Sequence, residues 1–122
     1  MKLRIKGNSI RIRLSKAEVD ELVSGSSLHD STSFGDNSFG YSVKPVDYND
    51  QLTASYESNI ITLYVPETLL KDWPNNSVIG FETMMPLERS GHLHLLLEKD
   101  FKCLDETIED QSGFFDNPAK SC

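Results

Sequence analysis

The sequence predicts a mainly β domain of the α+β class, an antiparallel sheet or barrel of about seven to eight strands with two short helices. Three observations carry this. Short runs alternate polar and apolar side chains, the period of a half-buried strand. Turn formers such as Gly7-Asn8, Glu57-Ser58-Asn59 and Ser90-Gly91 separate those runs closely, which favours antiparallel neighbours. Only two stretches have helical spacing, too few for a βαβ series.

The first two runs, 2–6 and 9–14, place Leu3 and Ile5, then Ile10, Ile12 and Leu14, on one face. Gly7-Asn8 between them reads as a two-residue primed turn. That turn fixes the register: Lys6 meets Ser9, Ile5 meets Ile10, Arg4 meets Arg11, Leu3 meets Ile12, and Lys2 meets Arg13. Ser15 then opens a short helix, with Glu18 at capping-box spacing, a stripe of Val19, Leu22 and Val23, and Gly25 to end it. Residues 26–38, rich in Ser, Gly, Asp and Asn, stay open between a long loop and a weak strand around Leu28 and Phe34.

Residues 39–46 alternate and read as a strand, placed at a sheet edge by Pro45. Strands at 52–56 and 60–65 follow, then a helix over 66–73 with Pro66 in its first turn and Pro74 stopping it. The last strands are 78–84 and 93–101. No internal repeat shows. Residues 1–104 form one domain, and 105–122 an irregular acidic tail. The tail is expected to dock in part, through Leu104, Ile108, Phe114 and Phe115 on apolar surface and through Glu109 or Asp110 on the basic hairpin.

The totals narrow the class. With 122 residues the chain is the size of one core, and 38% hydrophobic content is more than a disordered chain carries. No apolar run approaches the roughly 20 residues that span a bilayer. The first residues alternate charge with apolar side chains, unlike an export signal. The expectation is a cytoplasmic protein with no membrane partner. Two cysteines, Cys103 and Cys122, are too few for a disulfide framework and read as free thiols.

Charge is distributed unevenly. Of the 12 Lys and Arg residues, Lys2, Arg4, Lys6, Arg11, Arg13 and Lys16 precede the first acid, although the whole chain has a net charge of −7. That balance speaks against nucleic acid bound over the whole surface and leaves one local basic strip.

The strip is the candidate site. Lys2, Arg4, Lys6, Arg11 and Arg13 share one face of the hairpin, with Arg4 opposite Arg11 and Lys2 opposite Arg13. Like charges directly opposite are unfavourable by roughly 0.2–1 kcal/mol per pair, so something anionic should relieve them. Glu82, Glu98 and Asp100, which alternate away from apolar neighbours, could do so as cross-strand ion pairs, as could Glu57. Alternatively the five cations form an anion site, since arginine forks suit phosphate and carboxylate oxygens. The partner is then a small anionic ligand, and no cofactor is needed.

A third arrangement is a barrel with this face inward, a layout similar to the triphosphate-tunnel barrels. That likeness implies a phosphate-ester or polyphosphate hydrolase, dependent on a divalent metal, with Glu82, Glu98 and Asp100 as the metal ligands. Those enzymes open with alternating glutamates before a lysine, whereas Lys2, Arg4 and Lys6 stand here. Among other groups, His92 and His94 have chelating spacing but lack a third ligand nearby, and His29 is distant in sequence. Cys103 beside Lys102 is a nucleophile only if a histidine reaches it, and Asp105 and Glu106 oppose activation. No phosphate loop, dinucleotide fingerprint or nucleophile elbow is present.

Two stretches carry a family resemblance. One runs from Lys2 through Gly7, Asn8 and Ser15 to Val19; the other is Leu97-Glu98-Lys99-Asp100-Phe101-Lys102-Cys103-Leu104, followed by Glu109-Asp110 and Asn117-Pro118. Together they resemble a family of small uncharacterised bacterial proteins catalogued as a domain of unknown function. The resemblance implies a stand-alone bacterial cytoplasmic protein, and supplies neither substrate nor catalytic residues.

Overall fold

The computed structural model describes residues 1–101, so the expectations for Cys103, Cys122 and the docking of the acidic tail lie outside the described residues. Among the described residues, eight strands form two four-stranded sheets, accompanied by two short helices and a 3-10 turn. In chain order these are β1 (Lys2–Lys6), β2 (Ser9–Leu14), α1 (Lys16–Val23), β3 (Leu28–Ser33), β4 (Ser38–Val46), β5 (Thr53–Glu57), β6 (Ile60–Pro66), α2 (Glu67–Leu70), the 3-10 turn Trp73–Asn75, β7 (Gly80–Pro86) and β8 (His92–Lys99). One sheet has the order β1-β2-β8-β7 and the other β3-β4-β6-β5. The mainly β, α+β expectation holds in its open-sheet form; the strands do not close a barrel.

The first hairpin has the register that its turn dictates, residue for residue. Gly7 takes φ 55°, the left-handed region that the first position of a II′ turn requires. Its outward face is exposed at Lys2, Arg4, Lys6 and Arg13, while Ile12 and Leu14 are fully buried. Helix α1 begins with the capping box: the Ser15 hydroxyl accepts from the Glu18 N–H at 3.2 Å, and the Glu18 carboxylate accepts from the Ser15 N–H at 2.8 Å. Gly25 follows its end at φ 99°, as a C-terminal cap needs.

Three expectations are corrected. Pairing is not antiparallel throughout: β2 runs parallel to β8, and β4 parallel to β6, at the centre of each sheet. Alternation records which face a residue takes and not which way its neighbour runs, so only the local hairpins could be oriented from sequence. Strand β4 is an inner strand, between β3 and β6, and not an edge. Its pairing with β3 stops at Val43, so Pro45 lies past the end of β3 with only β6 alongside. Finally, the helix expected over 66–73 is a single turn, α2, followed by the 3-10 turn that contains Pro74.

The chain does contain an internal repeat, in topology. Each half runs hairpin, helix, hairpin. Matching β1, β2, β3 and β4 to β5, β6, β7 and β8 turns the order of one sheet into that of the other. Registers agree as well: Lys6 with Ser9 corresponds to Glu57 with Ile60, and Leu28 with Val43 to Phe81 with Leu97. The buried positions coincide. Ile10, Ile12, Leu14, Val19 and Leu22 of the first half take the places of Ile61, Leu63, Val65, Leu70 and Trp73 of the second. These side chains belong to one core, shared by the inner faces of both sheets. Almost no identities survive between the halves, which is why the repeat does not show in the sequence. In the second hairpin a I′ turn at Ser58 (φ 53°) and Asn59 (φ 63°) replaces the glycine turn.

Candidate functional site: the outer face of the first sheet

The face builds up row by row from the registers. Toward the hairpin tip, Lys6, Ser9, His94 and Met84 lie side by side across β1, β2, β8 and β7. The middle row is Arg4, Arg11, Leu96 and Glu82, and the third is Lys2, Arg13, Glu98 and Gly80. All five expected cations therefore share one outward face, and both like-charge pairs form.

Relief reaches only the third row and part of the middle one. Glu98 Oε1 lies 3.2 Å from Arg11 Nε and 3.6 Å from Arg13 Nε. Asp100 accepts from Lys2 Nζ at 2.8 Å. That hydrogen bond, with the charges of Lys2 and Arg13, holds the Asp100 carboxyl below its ordinary range against a smaller effect of burial. Since β8 ends at the same end of the sheet as β1 starts, with β2 between them, its acids fall at that end. Nearer the tip β8 offers Leu96 and His94 instead. Among the described residues neither Arg4 nor Lys6 makes an ion pair. Arg4, Lys6, Ser9 and Arg11 line an open hollow of about 230 Å³. Arg11 Nε is itself buried and lacks a well-directed hydrogen bond, its approach to Glu98 notwithstanding.

The three acids expected as metal ligands do not converge. Glu98 and Asp100 are engaged by cations, and Glu82 pairs with His94, Oε2 to Nε2 at 2.6 Å. No group of three metal-ligating side chains occurs among the described residues. His94 is thus held by Glu82 and by Ser9, and the side chain of Asn8 donates to the carbonyl oxygen of His92 at 2.6 Å.

Sequence reasoning missed Ser9. Its hydroxyl lies 3.4 Å from His94 Nδ1, so that a hydroxyl, an imidazole and a carboxylate stand in series across β2, β8 and β7. The outward parity of each residue was readable, but their adjacency needed the parallel β2–β8 pair. The same order of groups activates serine nucleophiles in buried triads. Here the Glu82 side chain is 64% exposed, and solvent screens the field that gives such a series its strength.

Fold and face together define a small two-sheet β protein with one exposed cationic face beside a His–Glu pair. The chain belongs to a family of unknown function, DUF7009, whose model matches residues 1–119. No curated protein and no solved structure matches it.

Proposed function

We propose that this is a binding protein whose ligand is a small molecule bearing a phosphate, sulfate or carboxylate group, held at Arg4, Lys6 and Arg11. One observation carries the reading. The second hairpin occupies the same topological place with Thr53, Ser55, Thr62 and Tyr64 where the first has Lys2, Arg4, Arg11 and Arg13. Cations at these positions are therefore not a requirement of the fold, and Arg4 lines a hollow with Lys6 where, among the described residues, neither is paired with an acid. Arginine pairs of this kind suit oxyanions in two-point contact.

A metal-dependent hydrolase is the weaker reading, because it needs carboxylates free to hold the metal and Glu98 and Asp100 are already paired with cations. No helix among the described residues is long and apolar enough to cross a membrane. We place the protein in a bacterial cytoplasm, where phosphorylated metabolites are abundant. The test is titration of the full chain with inorganic phosphate at low ionic strength, followed by amide NMR shifts. Shifts centred on residues 4–11 support the reading; none at any accessible concentration would sink it.

A further inference from the structure

The groups behind the hollow govern what an anion meets inside it. Glu82 Oε2 is 2.6 Å from His94 Nε2, and a carboxylate only accepts, so Nε2 keeps its proton in both charge states of the ring. That leaves Nδ1 to change. When the imidazole is neutral, Nδ1 is a bare acceptor, and the Ser9 hydroxyl 3.4 Å away turns its hydrogen toward the ring. Its lone pairs then face the hollow that it lines with Arg4, Lys6 and Arg11, and they repel an anion. When the imidazole is charged, Nδ1–H donates to Ser9 Oγ instead. The hydroxyl hydrogen is freed to donate into the hollow, and a positive charge stands behind it.

We propose that anion binding at this hollow is coupled to uptake of a proton by His94, with the Ser9 hydroxyl as the reversing element. The inference rests on the anion-site reading and adds its regulation. The ring stands among charges of both signs, with Glu82 of β7 against Nε2, Lys6 of β1 in the same row and Arg11 of β2 one row away. An anion in the hollow offsets the two cations. The other neighbours among the described residues include uncharged Met84 on β7, Leu96 on β8 and the Asn8 carbonyl, which accepts from the His94 backbone N–H at 3.0 Å, with His92 two residues before it on β8. Because coupling is reciprocal, the anion strengthens the hold of His94 on its proton as much as the proton strengthens the hold on the anion.

The experiment is calorimetric titration of the full chain with sulfate, whose own charge is constant over the range where histidine titrates, about pH 5–8. Buffers of different ionisation enthalpy count the protons taken up. Sulfate affinity should rise as the pH falls, by up to about tenfold per pH unit for one linked proton. His94→Asn should abolish both the pH slope and the proton uptake, and His92→Asn should keep both. Glu82→Gln, which leaves the ring in place, should move the rise to lower pH. Sulfate binding that is independent of pH, or a slope that survives in His94→Asn, overturns the coupling and leaves the anion site standing. Absence of sulfate binding at every pH overturns both.

Discussion

Arg4 and Arg11 stand directly opposite each other across β1 and β2, and at the corresponding places of the second half Ser55 and Thr62 stand opposite each other across β5 and β6. The second hairpin is therefore an internal control for the first, with the same register and core parity but no charge at those sites. Replacing Arg4→Ser together with Arg11→Thr should leave the protein folded. At low salt the double variant should melt at the same temperature or slightly higher, since relief of one opposed pair is worth roughly 0.2–1 kcal/mol. Sulfate affinity should drop at least tenfold, to the level of a generic surface (about 1.4 kcal/mol or more). A double variant that binds sulfate like the parent would move the site elsewhere.

Glu98 answers Arg11 and Arg13 at once, and its removal should have two effects of opposite sign. In Glu98→Gln the third row loses its acid, so stability falls at low salt. Arg13 is 45% exposed, which limits the loss to about 1 kcal/mol. Urea midpoints of parent and variant should converge in molar salt, where the screening length is about 3 Å. Anion affinity should rise, because Arg11 is released toward the hollow. Tighter sulfate binding with lower stability is the signature to look for; weaker binding would mean that Glu98 positions Arg11 for the ligand.

The capping box sets a third electrostatic prediction. Burial raises the Glu18 pKa, but hydrogen bonds from the Met1 ammonium and from Ser15 outweigh it and hold the group below its usual range. A carboxylate with a depressed folded-state pKa contributes stability above its unfolded value, roughly 4.3, and loses it as the pH falls through the folded value. Acid unfolding curves of Glu18→Gln should therefore be flatter below about pH 4.3 than those of the parent. At neutral pH, Ser15→Ala should cost about 0.5–2 kcal/mol by urea denaturation, since it leaves an N–H of the first turn without its acceptor. Equal acid slopes for parent and Glu18→Gln would show that the pairing carries no linked stability.

What the sequence made legible was local. The Gly7-Asn8 turn fixed the hairpin register, and with it the face shared by the five cations. Ser15 and Glu18 fixed the start of α1. What it hid depends on which distant strands become neighbours. Pairing of β2 with β8 brings Glu98 to Arg11 and His94 to Ser9, and nothing in either strand's own pattern encodes it. Pro45 misled because the rule against inner-strand proline assumes neighbours along the whole strand, whereas β3 ends before it. The repeat was invisible for a similar reason: burial is preserved between Ile12 and Leu63 or Leu22 and Trp73, but Arg4, Arg11 and Arg13 are matched by Ser55, Thr62 and Tyr64.

Gly80 provides the sharpest test of how β7 and β8 fit together. It sits opposite Glu98 in the third row of the outer face. A Cβ built there would press on the Leu97 carbonyl oxygen, and would lie 2.8 Å from Glu98 Cα and 2.9 Å from Glu98 Cγ. Two of those three atoms are backbone, so no change of rotamer removes the conflict, and β7 must shift away from β8. Gly40, at the place in the second sheet that corresponds to His94, is the fitting comparison. Its added Cβ would meet His29 Cε1 and Ile60 Cγ1 at 3.2 Å, both side-chain atoms that need give only a few tenths of an ångström, and no backbone atom closer than 3.6 Å. Gly80→Ala should therefore destabilise by about 1–3 kcal/mol, the range for overpacking against fixed neighbours, and Gly40→Ala by distinctly less. Trp73 is fully buried, with its ring 4.9 Å from that of Phe81 on β7, so its fluorescence reports the displacement as well as the unfolding. A blue or red shift in native Gly80→Ala, absent in Gly40→Ala, is the expected mark of a moved β7. Equal stabilities for the two variants would mean that the close approach at Gly80 relaxes without strain.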